Sequence, residues 1–163
     1  MAENRGKQFE GIVRQAFERV PHTTITRLPD PTSGFLGVRN ICDFIVYHHP
    51  HQYFIECKSV HDNILPLHNI THNQWSGLLE MSQTYGVVAG VLCWWIDRDV
   101  TRFFEIETLE KLAHEDVKSI RYDADDVPHF DIYGKKKRVF FDYNMNLFFK
   151  EVANEKGNRR THK

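Results

Sequence analysis

Apolar positions recur at spacings of three and four through the first twenty residues: Phe9, Ile12, Val13, Ala16, Phe17 and Val20. A single stripe on the helical period predicts an amphipathic helix over residues 4–20. Glu3, Arg5, Lys7, Arg14 and Arg19 fall on its other faces, and Pro21 ends it. Thr23–Thr26 is a short β-prone run. Residues 28–34, Leu-Pro-Asp-Pro-Thr-Ser-Gly, are breakers that predict a loop continuing to Asn40. The period then changes to two. Ile41–Tyr47 and Gln52–Lys58 read as strands, and the polar link His48-His-Pro-His51 makes them a hairpin. Alternation puts Cys42, Phe44 and Val46 on one side and Asp43, Ile45 and Tyr47 on the other, while Phe54, Glu56 and Lys58 share a face.

Thr71–Tyr85 returns to the helical period, with Thr71 as N-cap and Trp75, Leu78, Leu79 and Ser82 on one face. Val87–Ile96 is apolar on both faces, as at the centre of a sheet. Thr101–Ile106 predicts a strand and Ile106–His114 a short helix. Ser119–Val127 is acidic and irregular. Phe130–Tyr133 and Val139–Tyr143 bracket Gly-Lys-Lys-Lys-Arg138, which predicts a hairpin with a basic tip. Leu147–Val152 is short and apolar, and the polar, basic tail 154–163 is expected to be disordered. The pattern describes one α/β domain over residues 1–153 with a mixed central β-sheet flanked by α-helices.

Composition narrows the setting. The 163 residues suit a single core. No apolar run approaches the ~20 residues a membrane span needs, and the charged start MAENRGKQFE lacks the apolar stretch of a signal peptide. Cys42, Cys57 and Cys93 form no CxxC pair and lie in apolar runs, so they are expected as buried thiols in a reducing, cytoplasmic compartment. Six of the ten histidines crowd into residues 48–72 (His48, His49, His51, His61, His68, His72). Their spacings favour structural or solvated roles over zinc. The formal net charge of −1 gives no basic excess, so contact with nucleic acid would rest on local clusters.

The chemistry concentrates between Asp43 and Lys58. Asp43 and Glu56 are acids embedded in apolar strands, an expensive placement unless they are paired or bind a cation. Lys58 lies on the same face as Glu56, roughly 6–7 Å further along the strand. An E-x-K on a strand is, by itself, an ordinary surface ion pair; an acid on the partner strand makes it unusual. Two carboxylates would hold Mg²⁺, with Mn²⁺ as a substitute, and the Cys57 backbone carbonyl would be a further ligand. Such an ion activates water and polarises phosphate, and Lys58 would orient the water and neutralise developing charge. No small-molecule cofactor is expected.

Asp43-x12-Glu56-x-Lys58 resembles the PD-(D/E)xK nuclease motif. Asn4-Arg5-Gly6, with Glu10 on the same helix, resembles the opening of RecU-type Holliday-junction resolvases. Ile64-Leu-Pro-Leu-His-Asn-Ile70 with Asn73-Gln74, Gly90-Val-Leu-Cys-Trp-Trp95 and Lys118-Ser-Ile120 resemble later segments of that family in order. The resemblance implies a restriction-endonuclease-like core and catalytic positions at Asp43, Glu56 and Lys58. It implies Glu10 as a water-mediated or second-metal ligand, and Gln74 as a contact to phosphate or water. It implies a homodimer that cuts a four-way DNA junction by paired symmetric incisions. Arg5, Lys7, Asn69 and His72 are further phosphate-contact candidates, as are Lys135, Lys136 and Lys137 of the basic run. Two departures stand out. Residues 27–40, with Arg27, Phe35 and Arg39, fill the place of a much longer stalk in the family, and Asn73 stands where the family has His. Two other readings of the same residues are a restriction-type endonuclease on linear duplex and a non-catalytic DNA-binding protein on the same scaffold.

Overall fold

The computed structural model describes residues 2–29 and 40–161. Among these residues four α-helices occur: α1 (Ala2–Glu18), α2 (His72–Ser82), α3 (Ile106–His114) and α4 (Met145–Thr161). The strands are β1 (Thr23–Arg27), β2 (Phe44–His48), β3 (His51–Val60), β4 (Ile64–Pro66), β5 (Val87–Trp95), β6 (Val100–Glu105), β7 (Ser119–Arg121), β8 (Phe130–Asp131), β9 (Gly134–Lys136) and β10 (Phe141–Tyr143). Six of them form one sheet in the order β1-β2-β3-β5-β6-β8. Every neighbouring pair is antiparallel except β3–β5, which is parallel. A parallel pair needs a crossover, and α2 lies within it. The fold is thus mixed α/β, with a central mixed sheet flanked by helices. Among the described residues no helix is long and apolar enough to cross a membrane.

Alternation along the strands feeds two cores. Phe44, Val46, Tyr53, Ile55 and Cys57 meet α1 and α4 through Phe9, Val13, Phe17, Phe148 and Phe149. Phe54, Ala89, Val91, Cys93 and Trp95 meet α2 and α3 through Leu78, Ile106 and Leu109. β5 is buried on both faces, as its unbroken apolar sequence requires. Gly90 sits where β5 and β6 approach closely, because a Cβ there would lie 2.1 Å from the Phe104 carbonyl oxygen. The three cysteines are buried and free.

Three expectations are corrected. The chain is not in strand geometry at 41–43, and β2 begins at Phe44. Cys42 accordingly packs in the same core as Ile45, not beside Phe44 and Val46. The local reason is α2: Gly77 has no side chain, and a Cβ there would strike Ile41 at 2.1 Å, so Ile41 seats against the helix backbone and bends the segment. The basic run is only partly a hairpin tip: Lys137 and Arg138 lie in the turn between β9 and β10. Lys135 and Lys136 lie in β9, paired with Asp142 and Phe141, and Phe130–Asp131 instead extends the main sheet beside β6.

The third correction concerns the tail, which continues α4 as helix to Thr161. Its residues serve a buried acid. Glu105, 7% exposed, ion-pairs with Lys156 and lies 3.6 Å from Arg159. A polar tail sequence hides this, because the partner is supplied by a distant strand. Truncation after Ala153 should therefore strand Glu105 and cost on the order of 3 kcal/mol. Glu105→Gln in the truncated chain should recover part of the loss. Thermal melts of the two truncated proteins and the full chain check this; equal melting of full and truncated chains would return the tail to a disordered role.

Candidate active site

Glu56 and Lys58 alternate onto the α2 face of β3, and Asp43 arrives there just before β2. The Asp43 N–H donates to the Ile55 carbonyl at 3.1 Å, and the Cys57 N–H donates to Asp43 Oδ2 at 2.7 Å. The aspartate is thus pinned to β3 at both its backbone and its carboxylate. Lys58 Nζ lies 2.7 Å from Glu56 Oε1, with the two side chains 20% and 4% exposed. Gln74 ties this pair to the helix. Its Nε2 donates to Glu56 Oε1 at 2.7 Å, and its Oε1 accepts from Lys58 Nζ at 3.3 Å. The same Oε1 accepts from the Thr71 N–H at 3.0 Å, while Thr71 Oγ1 accepts from the Gln74 N–H at 3.3 Å. This is a reciprocal capping box, so the residue that fixes the start of α2 also fixes Glu56 and Lys58.

These groups open into a cleft of about 680 Å³ lined by Leu28, Asn40, Cys42, Asp43, Glu56, Thr71, His72, Asn73, Gln74 and Ser76. The N-terminus of α2 faces it, which places the positive end of the helix dipole beside any bound anion. Burial pushes the Asp43 carboxyl up to about 8, and repulsion from Glu56 and Glu10 adds to this. Burial also raises Glu56, opposed by its contact with Lys58 and by a hydrogen bond to Asp43. In the absence of a cation the two acids therefore retain a proton between them.

Whether these residues suit a divalent cation follows from that donor set. No group of three or more His, Cys, Asp or Glu among the described residues is arranged to hold an ion. Two adjoining carboxylates that a cation would relieve, opening to a cleft with room for water, match the needs of Mg²⁺, which keeps several waters and takes one or two protein carboxylates. The residues fit that group. Asp43 and Glu56 would hold it.

Other predicted residues are placed as follows. Glu10 is close enough to act electrostatically on Asp43, Glu56 and Cys57, and its Oε2 accepts from Arg27 Nη2 at 3.0 Å. His72 lines the cleft, whereas Asn69 is exposed on the preceding 3-10 turn and is not among the cleft-lining residues. Arg5 lies over the Phe140 ring at 5.6 Å, and Lys7 is exposed on α1. Lys135, Lys136 and Lys137 are exposed on the β9–β10 unit, with Lys136 paired to Asp99, and none of them lines the cleft. Phe35 and Arg39 lie outside the described residues. Sequence reasoning missed Asn40, Cys42, Leu28 and Ser76 in the cleft wall and the Arg27–Glu10 pair. Only Arg27 carried a signal, its charge at the mouth of the loop.

No family model matches the chain. No curated protein matches it either. Among solved structures the chain is similar to Hjc, a Holliday junction resolvase of Archaeoglobus fulgidus, with 18% identity, a TM-score of 0.44, and coverage of 64% of this chain and 78% of that one. The likeness is partial, and the site stands on its own residues.

The proton retained by Asp43 has a measurable consequence. Between the ordinary aspartate range and about 8, the folded chain holds a proton that the unfolded chain has released, so stability falls as pH rises through that window. Without divalent cations the protein should melt lower at pH 8 than at pH 5. Asp43→Asn should flatten this slope and raise the melting temperature at pH 8, by roughly 2–4 °C for each kcal/mol relieved. Melting curves across pH in EDTA test it; parallel slopes in the two proteins count against the shared proton.

Proposed function

We propose that the protein is a cation-dependent DNA endonuclease of the PD-(D/E)xK type that acts on four-way junctions. The observation that carries the nuclease reading is the meeting of Asp43 and Glu56 in one cleft, with Lys58 paired to Glu56 and both of that pair held by Gln74. The junction preference rests on the sequence segments that resemble RecU-type resolvases. When bound, a divalent cation such as Mg²⁺ or Mn²⁺ lowers the pKa of a coordinated water and polarises the phosphoryl group. Asp43 and Glu56 supply its ligands, and the Cys57 carbonyl is a further candidate. Lys58, now on Glu56, is within a side-chain rotation of the cleft, where it offsets charge that grows on the phosphate oxygens in the transition state. Gln74 holds Glu56 in place and offers its amide to phosphate or water. Arg5, Lys7, Asn69, His72 and Lys135–Lys137 are proposed to contact the DNA backbone, which suits recognition by shape rather than by base.

A junction has two-fold symmetry, and two symmetric nicks require two sites, so the acting form is proposed as a homodimer. The three buried free thiols suit a reducing compartment such as the cytoplasm.

The deciding experiment incubates the protein with a synthetic mobile four-way junction, a matched linear duplex and single strands, in Mg²⁺ or EDTA. Paired incisions of the junction in Mg²⁺ alone are expected. Cutting of linear duplex at a narrow sequence without junction preference would favour a restriction-type enzyme, and binding without cutting a non-catalytic protein. Asp43→Asn and Glu56→Gln should abolish cleavage while leaving DNA binding largely intact. Lys58→Ala should lower the rate by roughly 10²–10³-fold. Wild-type cutting by either carboxylate variant would remove the metal-site reading.

A further inference from the structure

Glu10 is the third carboxylate near the cleft, and the structure commits it elsewhere. Its Oε2 is 3.0 Å from Arg27 Nη2, with the side chains 20% and 33% exposed. Arg27 is the last residue of β1 and stands opposite Phe44, the residue after Asp43. The next N–H, of Leu28, donates to the Asp43 carbonyl at 2.8 Å. The guanidinium is therefore carried by backbone locked to the same residue that would ligate the cation. Glu10 comes from the other layer, on α1, and acts on Asp43 and Glu56 through space. Two elements thus deliver an acid and its counter-ion to the rim of the site.

The balance between partners is close. A partly exposed ion pair contributes only about 1 kcal/mol or less. A guanidinium fork matches a phosphate oxygen pair at least as well as it matches a carboxylate. A carboxylate released beside two others would find in a divalent cation a stronger partner than the one it left.

We propose that Arg27 is a latch on the cation site: it holds Glu10 in an ion pair, and a nucleic-acid phosphate that takes the guanidinium frees Glu10 to join Asp43 and Glu56 around the cation. The inference rests on the cation-site reading above. It makes cation and DNA binding mutually reinforcing, since linkage between two ligands is reciprocal. It also assigns Arg27 a role distinct from that of a plain phosphate contact, because part of its effect is exerted through Glu10.

The test is calorimetric titration of Mn²⁺ into the cation-free protein, without DNA. Arg27→Gln should tighten Mn²⁺ binding by roughly three- to fivefold, the size expected for releasing one such ion pair. In a Glu10→Gln background the same substitution should gain less than about twofold, a double-mutant coupling that isolates the pair. An equal gain with and without Glu10 would mean that Arg27 only repels the cation, and would overturn the latch. So would an unchanged or weaker affinity in Arg27→Gln. If that variant does not fold, Arg27→Lys should give a smaller gain that again vanishes with Glu10→Gln, and a gain that persists overturns the proposal. Asp43→Asn serves as the control for the underlying reading: if it binds Mn²⁺ like wild type, the cation site itself is misplaced and the latch falls with it. A DNA arm uses Lys58→Ala protein so that the probe stays intact. A short blunt duplex should tighten Mn²⁺ binding more when Arg27 is present than in Arg27→Gln, and equal tightening would refute release by phosphate.

Discussion

The structure is organised around an unfavourable contact, the meeting of the largely buried Asp43 and Glu56 carboxylates at the wall of the cleft. Each is desolvated, and the charge of Glu56 repels that of Asp43. Left alone such a pair would open or stay neutral. Here it is held by three donors from three sources: the Cys57 N–H on Asp43, and Lys58 Nζ and Gln74 Nε2 on Glu56. The cost is carried by two apolar cores on either side of the sheet. Strain kept at one place and stability found in another is the usual arrangement of a functional cleft.

The topology explains why these donors arrive together. The parallel pair in the main sheet, β3–β5, forces a crossover, and the crossover brings the start of α2 beside β3. The capping box then does two jobs with one side chain. Gln74 closes the helix terminus and simultaneously bridges Glu56 and Lys58, so the helix cannot fray without loosening the pair. On the next turn Gly77 admits Ile41, and Asn73 Nδ2 donates to the Asn40 carbonyl at 3.2 Å. One face of α2 thus sets both the strand-borne and the loop-borne members of the site.

Much of this was legible in the sequence because it is periodic. The stripe Phe9–Val20, the alternation of Phe54, Glu56 and Lys58, and the doubly apolar run from Val87 each dictate an element and a face. Thr71 and Gln74, three apart, spell the cap itself. What escaped was non-local. Nothing near Cys42 announces that Gly77, thirty-five residues on, will bend it out of strand register. The run 154–161 is polar along its whole length, and its helix is explained only by Glu105 waiting at the end of β6. Lys135 and Lys136 looked like a turn because their strand partners, Asp142 and Phe141, lie beyond the basic run. The Arg27–Glu10 pair joins a strand end to a helix across the loop and has no spacing rule at all.

Charge ties these pieces into one account. Among the described residues, three acids, Asp43, Glu56 and Glu10, face two cations, Lys58 and Arg27, which leaves this fully ionised group one negative charge in excess. Cation-free, the cleft disposes of that charge by keeping a proton on its carboxylate pair, with burial of Asp43 as the larger cause and repulsion from Glu56 as the next. A divalent ion that displaces the proton inverts the sign and leaves one positive charge. That is the complement of a single phosphodiester. On the proposed cation-dependent reading, a chain with a formal net charge of −1 could therefore present an anion-seeking site without a basic surface, since the positive charge would come with the cation.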